Sequence, residues 1–489
     1  MPRSATTVAV RVALCLALSL AAYGNSFPGE PVFDDVPLLV ENDCHRGLSK
    51  VPAALAVWRQ TICNVRPLRF ASFAIDYTLY GEAWWGYHLT NALLHGLVAS
   101  LLWLLLLRLG VTRQVSALCA LLFVLHPVNT EAVAYLSGRR DLLAALFCLV
   151  ATLGLFSRRR SLQLGLSLAA FLAALLCYQG AAALPAALIL LLWTRRRSES
   201  DRPRWIAVAT MFVIAIGFAW WTASTRGLSD KHGLWGGGLS AHLGTVLAVH
   251  LRYLKLLVLP VDMQADYSPE GFALARSLFD GRALLMLGLL IAGLVGWIRV
   301  AAWRRPLIVA AVYVALLLPA SQIVIHHELL AEHRLYLASA CYCLALAAAI
   351  VALTRRLKPR FGCLLFGAIA CGYLALTLSR NLDWRDSESL WRATVAQAPR
   401  CARAQANLGA VLAQQGQLQP AIAHFRRALA LRPELCDARI NLGQALFDSG
   451  QREPGLREVA RGVDCMPTPK RKRQLLRLQR RLAGNKPRG

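Results

Sequence analysis

The sequence predicts an all-helical protein, in which a polytopic membrane domain is followed by a short array of helical repeats. The membrane domain is indicated by composition, because 56% of the 489 residues are hydrophobic and the mean hydropathy is +0.46. Several apolar runs approach the roughly 20 residues that a membrane-spanning helix needs. The repeats are indicated by prolines and glycines that recur every 34 residues near the C-terminus. A soluble globular protein is excluded.

Basic residues give the membrane domain its orientation. The formal net charge is +27, which in a soluble protein would suggest nucleic-acid binding. Here the dense basic clusters lie between apolar runs, at residues 158–160, 195–197, 304–305 and 355–356. Such clusters mark cytoplasmic loops, so the expected partner is the lipid bilayer and not a nucleic acid.

Eleven membrane spans follow from the apolar runs. They are expected at residues 7–23, 88–107, 114–130, 140–157, 161–177, 180–194, 205–223, 283–298, 306–322, 334–354 and 361–379. The apolar stretch 242–259 is predicted to lie along the interface, since a crossing there would place a basic cluster outside. The N-terminus is then internal. Loops 24–87 and 225–282, and the chain beyond Arg380, face outward.

The C-terminal third has the period of a tetratricopeptide repeat. Asn407-Leu408-Gly409 returns 34 residues later as Asn441-Leu442-Gly443, and 34 residues is the length of that helix–turn–helix unit. The sequence therefore predicts a membrane domain over 1–380, repeats over 381–469, and a basic capping helix and tail over 470–489. Such repeats bind a protein acceptor or another partner protein.

The acidic pair Asp34-Asp35 is the strongest candidate for catalysis. It follows the first span by about ten residues and lies in the first external loop. One carboxylate there can take the proton of an acceptor hydroxyl while the other positions it. The sequence does not distinguish which is the base. The structural alternative is a solvated turn or a helix N-cap.

Arginines outside the spans are candidates for binding a phosphate, because a guanidinium matches phosphate oxygens bidentately. Arg66 shares the loop of the acidic pair, and Arg334 begins the tenth span, with Glu332 expected to orient it. A third polar cluster contains Glu131, Arg139 and Asp141, of which Arg139 is a further phosphate candidate. A Glu131–Arg139 ion pair that fixes the hairpin is the structural alternative.

Supporting residues are expected on the second span, where His88, Asn91 and His95 share one helical face. Helix-to-helix hydrogen bonding explains them equally well. The 13 cysteines include no C-x-x-C pair, so the sequence implies no disulfide framework or metal site. Pairing of Cys44 with Cys63 stays open. No D-x-D motif is present, which disfavours a divalent metal without excluding it.

These blocks, in this order, resemble the transmembrane and tetratricopeptide-repeat O-mannosyltransferases and their bacterial relatives, within the GT-C superfamily. The resemblance covers about residues 30 to 465. Its blocks are Phe33-Asp34-Asp35, Arg66-Pro67-Leu68, Tyr87 to Asn91 with His95, His126 to Asp141, Arg252 to Lys255, Glu332 to Tyr336 and Arg380-Asn381.

The resemblance implies an inverting membrane glycosyltransferase. Its donor would be a polyprenyl-phosphate sugar, with mannose expected, and its acceptor a hydroxyl, with protein Ser or Thr expected. The site would face the periplasm of a bacterial inner membrane, or the lumen of the endoplasmic reticulum. Asp34 and Asp35 would be the base and its partner. The chain departs from the family in having Tyr178-Gln179 instead of Lys-Glu, and fewer repeats than the animal proteins.

Two other function classes compete with a transferase. A membrane scaffold that presents the repeats to a partner would leave the acidic pair and the external polar blocks unexplained. A transporter would need ionisable residues within its spans and paired broken helices, and neither pattern is evident in the sequence.

Overall fold

Helices form all the regular structure in the computed structural model, which describes residues 5–52, 66–193, 201–226, 233–300, 304–322, 328–356 and 359–465. The all-helical prediction is confirmed over these ranges. The chain divides into two units. The first contains the described parts of 1–261, 275–327 and 331–385, and the second contains 262–274, 328–330 and the repeats.

Fourteen α-helices of the first unit are used below. In chain order they are α1 Ala5–Tyr23, α2 Pro67–Tyr80, α3 Trp84–Arg108, α4 Arg113–Leu125, α5 Thr130–Ala134, α6 Arg139–Leu155, α7 Ser167–Cys177, α8 Leu184–Trp193, α9 Arg202–Arg226, α10 Leu239–Val258, α11 Gly281–Arg299, α12 Arg304–Leu317, α13 Ser339–Arg356 and α14 Pro359–Asp383.

Each of the eleven predicted spans coincides with one or more of these helices. Seven helices in the described ranges are long and apolar enough to cross a membrane, and an eighth span results if the bent pair α4–α5 counts as one. Shorter apolar helices coincide with three other predicted spans, at Leu162–Cys177, Gln179–Trp193 and Pro306–Ala320. A membrane protein with several spanning helices is confirmed. The interfacial position of 242–259, now within α10, stays a prediction.

The bend between α4 and α5 brings polar residues together. The two segments meet at 54°, where Pro127 follows His126 and cannot donate a backbone hydrogen bond. His126 caps the turn: its Nδ1 accepts from the Val128 N–H at 3.2 Å, and its Nε2 lies 2.9 Å from the Leu257 carbonyl oxygen. The turn places Glu131 close to the start of α6.

The segment between α1 and α3 contributes most of a small apolar core. Pro67 occupies the first turn of α2, with Arg66 as the residue before the helix, a position that suits proline because no helical N–H is lost. The core contains Leu38, Leu39, Phe70, Phe73, Tyr87 and Leu136. The acidic pair and the arginines at the start of α2 are therefore both attached to segments that pack in this core.

The second unit contains the repeats. Its helices are α15 Ser387–Gln397, α16 Ala402–Gln414, α17 Leu418–Leu431, α18 Cys436–Asp448 and α19 Arg452–Cys465. Gly409 lets α16 approach α17, because a Cβ there would lie 3.0 Å from Phe425. Gly416 ends α16 with a φ of +76°, which favours glycine. The predicted capping helix 470–482 lies outside the described residues.

Two features of the repeat unit were not predicted. Residues 262–274 pack within it, where Asp266 ion-pairs with Arg403 and Glu270 accepts from Arg432 Nε at 2.8 Å. Cys436 and Cys465 form a disulfide between the first residue of α18 and the last of α19. The expectation that no disulfide framework is present was therefore wrong for this pair. Cys63 lies outside the described residues, so whether it pairs with Cys44 stays open.

Candidate anion site and acidic loop

Asp35 is held by backbone amides in a buried position. Its side chain is fully buried, Oδ1 accepts from the Ser137 N–H at 2.8 Å, and Oδ2 accepts from the Val32 N–H at 3.3 Å. Burial raises the pKa of Asp35 to about 7; the hydrogen bonds from Ser137 and Val32 lower it, and the neighbouring charge of Asp34 raises it. Asp35 thus ties the first external loop to the turn before α6.

Asp34 is exposed and differs from its neighbour. No hydrogen bond or ion pair reaches its carboxylate from the part of the chain that the structure describes. The preceding residue, Phe33, has a φ of +52°, which is uncommon for a bulky side chain. Strained backbone conformations of this kind cluster at functional sites. The ring of Phe33 lies 6.3 Å from that of Tyr135. Of the two carboxylates, Asp34 is the one that is accessible to solvent.

Arg66 and Arg69 are cations at the start of α2, where Arg69 is buried and Arg66 is half-buried. The buried Arg66 Nε, and the Nε and Nη1 atoms of Arg69, have no hydrogen-bond partner among the described residues. Burial, followed by the charge of Arg140, lowers the pKa of Arg69 to about 10. The pKa of Arg66 is lowered well below its ordinary value by burial and then by Arg140 and Arg69. Buried, unpaired guanidinium groups cost several kcal/mol each, which a bound anion would offset.

Arg140 completes this group, which we call the arginine cluster: Arg66, Arg69, Arg140 and Arg334. The guanidinium groups of Arg66 and Arg140 lie 5.4 and 5.7 Å from the ring of Tyr178. Arg334 interacts with the same tyrosine and hydrogen-bonds the Tyr253 hydroxyl. Tyr178 therefore occupies the centre of the cluster, at the position where the family pattern has lysine.

A histidine connects the cluster to Glu131. His333 Nδ1 lies 2.6 Å from Glu131 Oε1, the His333 N–H donates to Glu131 Oε2 at 2.9 Å, and Arg140 Nη2 lies 2.8 Å from His333 Nε2. Arg140 Nε also donates to Asp141 at 3.1 Å. The predicted supporting residues Glu131 and Asp141 are thus beside the cluster.

A cavity opens beside these side chains. It has a volume of about 560 Å³, and Asp141, Tyr178, His333 and Arg334 line its polar part. An apolar groove of about 730 Å³ adjoins it, because Cys148, Leu184, Leu316 and Leu337 line both. The remaining lining of the groove is made almost wholly of aliphatic side chains from α3, α6, α8, α12 and α13. A partly polar cavity and an apolar groove therefore adjoin each other.

Arg139 belongs to a separate, closed network. It ion-pairs with Asp76, its Nε donates to Asn91 Oδ1 at 2.7 Å, and its Nη2 donates to the Tyr87 carbonyl oxygen at 2.8 Å. The alternative of a Glu131–Arg139 ion pair is wrong, because Arg139 pairs with Asp76. Asn91 also donates to the Val133 carbonyl oxygen at 3.0 Å. These groups join α2, α3 and α6.

The other predicted residues occupy packing positions. His95 Nδ1 lies 2.7 Å from the Tyr336 hydroxyl and Nε2 lies 3.2 Å from the Val124 carbonyl oxygen. His88 is buried beside Gly29. Glu332 is fully buried and pairs with Arg380 at 3.4 Å. Helix-to-helix contacts of this kind are the alternative that the sequence left open for the histidines.

Arg69, Arg140, Tyr178 and His333 were not among the predicted site residues. Arg69 had a usable signal, since it follows Arg66 by three residues and a helix that starts at Pro67 keeps both near one end. Among the described residues, no group of three or more His, Cys, Asp or Glu side chains is arranged to hold a metal ion.

The sequence is similar to those of known proteins over most of its length. A family described as TPR repeat matches residues 399–450. A protein O-mannosyl-transferase of Caenorhabditis elegans, F38B6.6, is 26% identical over 437 residues, covering 85% of this chain and 62% of its own. TMTC4 of Mus musculus and Tmtc1 of Drosophila melanogaster, also named protein O-mannosyl-transferases, are each 26% identical, and the alignments cover 84% and 85% of this chain.

The chain is a homologue of the transmembrane and tetratricopeptide-repeat O-mannosyltransferases. The resemblance inferred from the sequence blocks is thereby confirmed. The chain spans between 60% and 65% of the length of these three relatives. Among solved structures, that of ArnT from Cupriavidus metallidurans bound to undecaprenyl phosphate is similar, with a TM-score of 0.45 and 16% identity, and the match covers 96% of this chain and 82% of the other.

Proposed function

We propose that the protein is a membrane glycosyltransferase that moves a sugar from a polyprenyl-phosphate donor to a hydroxyl acceptor. Mannose is the proposed sugar and protein Ser or Thr the proposed acceptor, in keeping with the names of the homologues. The observation that carries the proposal is the arginine cluster: buried nitrogen atoms of Arg66 and Arg69 lack partners in the described chain, and Arg334 lines the cavity that adjoins the apolar groove.

The donor fits the two connected spaces in one orientation. Its phosphate would bind Arg66, Arg69, Arg140 and Arg334, because charge-assisted bonds from guanidinium groups are the strong ones. Its polyprenyl chain would occupy the apolar groove, where burial contributes about 0.8 kcal/mol per CH₂. A free sugar phosphate would leave the apolar groove unfilled. A neutral lipid would leave the arginines without an anion.

The two carboxylates take different roles in this proposal. Asp34 is exposed and would accept the proton of the acceptor hydroxyl as that oxygen bonds to the anomeric carbon. The bond between this carbon and the phosphate oxygen breaks, and the leaving phosphate keeps the electron pair. The arginines stabilise the charge that develops there. Asp35, fixed by Ser137 and Val32, would position the loop that carries Asp34.

The repeats are proposed to recruit the acceptor protein, and the unit that contains them is proposed to face the same side as the acidic loop. Named side chains supply the deprotonation of the acceptor and the charge stabilisation of the phosphate in these steps. The alternative of a membrane scaffold gives no reason for buried nitrogen atoms of Arg66 and Arg69 that lack partners in the described chain.

The test is transfer of labelled mannose from polyprenyl-phosphate mannose to membrane and periplasmic proteins. Asp34→Asn is expected to reduce transfer by about 10²- to 10⁴-fold, the range for loss of a general base, with normal expression and membrane insertion. Asp43→Asn is the matched control, because Asp43 is an exposed aspartate of the same loop. Normal turnover by Asp34→Asn would rule out the assigned base. Absence of transfer by the wild type with this and other polyprenyl-phosphate sugars would reject the function.

A further inference from the structure

We propose that His333 is a positioning residue that holds Arg140 against the donor phosphate, with its tautomer set by Glu131. This inference rests on the proposed function, since it concerns the affinity of the same donor site. It explains why a histidine is buried between a carboxylate and a guanidinium, with 5% of its side chain exposed.

The tautomer follows from the chemistry of the two partners. A guanidinium has donors only, so the 2.8 Å contact between Arg140 Nη2 and His333 Nε2 requires a lone pair on Nε2. The proton of the neutral ring then lies on Nδ1 and is donated to Glu131 Oε1. Each ring nitrogen therefore has one partner of the correct kind.

Glu131 is suited to this task because it accepts twice from the same residue. Its Oε2 accepts from the backbone N–H of His333 and its Oε1 from the ring. A glutamine has one acceptor oxygen and one donor NH₂, so Glu131→Gln would leave a donor facing a donor. When the NH₂ faces Nδ1, the ring proton moves to Nε2 and opposes Arg140.

Arg140 is the member of the arginine cluster that needs such a restraint. Arg69 is fixed by burial at the start of α2, whereas the Arg140 side chain is 12% exposed at the start of α6. Asp141 holds its Nε, and His333 holds its Nη2. Two fixed nitrogens orient the guanidinium plane, and a pre-oriented group loses less entropy when it binds.

The experiment measures binding of undecaprenyl phosphate to the full-length protein in nanodiscs, in a double-mutant cycle of Glu131→Gln and Arg140→Ala. We expect Glu131→Gln to raise Kd about tenfold, as for a hydrogen bond to a charged group, but less than about twofold in the Arg140→Ala background, because contacting residues are coupled.

A second pair of variants tests the ring itself. The amide oxygen of His333→Gln can accept from Arg140, so donor affinity should be largely retained, whereas His333→Leu should lose about as much as Glu131→Gln. Equal losses for Glu131→Gln in both backgrounds, or equal Kd values for the two His333 variants, would overturn the inference. Failure of the wild type to bind the lipid phosphate would instead overturn the proposed function, and with it this inference.

Discussion

Two groups of arginines lie at the starts of α2 and α6 in the first unit, and they differ in how their charge is compensated. Arg139 is fully buried and has a carboxylate, a side-chain amide oxygen, a backbone carbonyl and the ring of Phe73 at 4.5 Å. Arg69 is 2% exposed, two of its nitrogens lack partners in the described chain, and the charge that most affects it is that of Arg140.

The difference separates a structural arginine from a binding arginine. Burial alone is common to both, and both follow a turn at the start of a helix. The compensated charge of Arg139 joins α2, α3 and α6, and removal of this side chain would leave Asp76 unpaired. An uncompensated charge weakens the empty protein and gains its partner only when an anion binds. Compensation of each nitrogen atom is therefore a better guide to function than burial.

The largest effect is expected for Arg139→Met. Breaking a buried ion pair by removing one partner costs about 3–5 kcal/mol, since Asp76 and Asn91 lose their common partner. The measurement is thermal unfolding of the purified protein in detergent, with Arg108→Met as control, an exposed arginine at the end of α3. If the Arg139→Met variant were as stable as the wild type, Arg139 would not be a structural arginine, and the distinction between the two groups would be wrong.

The second prediction concerns Arg69→Met. The empty protein should be as stable as the wild type or more stable, because an uncompensated buried charge is replaced by an apolar side chain. Binding of undecaprenyl phosphate should weaken by about tenfold or more, the loss of a charge-assisted hydrogen bond. Ligand-induced stabilisation measures both quantities in one titration. If the Arg69→Met variant were strongly destabilised, Arg69 would be a structural arginine like Arg139.

The third prediction tests buried Asp35 by pH. Its pKa is about 7 in the folded protein and 3.8 when unfolded, so the folded state binds the proton more tightly between these values. Its contribution to stability is fully present below pH 3.8 and is lost as the pH rises through 7. Asp35→Asn should lack this fall relative to the wild type in melting temperatures recorded from pH 4 to 8. Parallel profiles would contradict the assigned pKa.

The smallest effect is expected for an exposed pair in the repeat unit. Arg392 donates to Glu388 at 2.6 Å, one helical turn away, and the arginine side chain is 53% exposed. Arg392→Ala should change the free energy of unfolding by less than about 0.5 kcal/mol. A cost comparable to that of Arg139→Met would show that burial does not rank these arginines.

Most of the fold could be predicted from the sequence, because hydropathy and a 34-residue period do not depend on distant contacts. The spans and repeats coincide with helices, whereas the repeat-unit position of residues 262–274 depends on partners such as Arg403 and Arg432 that are far away in sequence. The Cys436–Cys465 pair was missed for the same reason, since its 29-residue separation matches no short motif.

The site was harder to predict than the fold. Arg139 and Arg140 are adjacent and chemically identical, yet one enters the Asp76 network and the other the arginine cluster. A helix turns successive side chains by about 100°, and only their neighbours decide which direction faces a cavity. Tyr178 looked like the loss of a functional lysine, whereas the structure surrounds it with arginines that can supply the charge.

The disulfide between α18 and α19 has a consequence for how the protein is made. Such bonds persist where thiols are oxidised and are rare in a reducing cytosol, so we expect the terminal hairpin to mature only after export. The redox state of these two cysteines would then report export. In exported molecules Cys436 and Cys465 are disulfide-bonded and resist alkylation, whereas in retained molecules they are free thiols and react. A mass-tag shift on a gel would report, molecule by molecule, which side of the bilayer the repeats had reached.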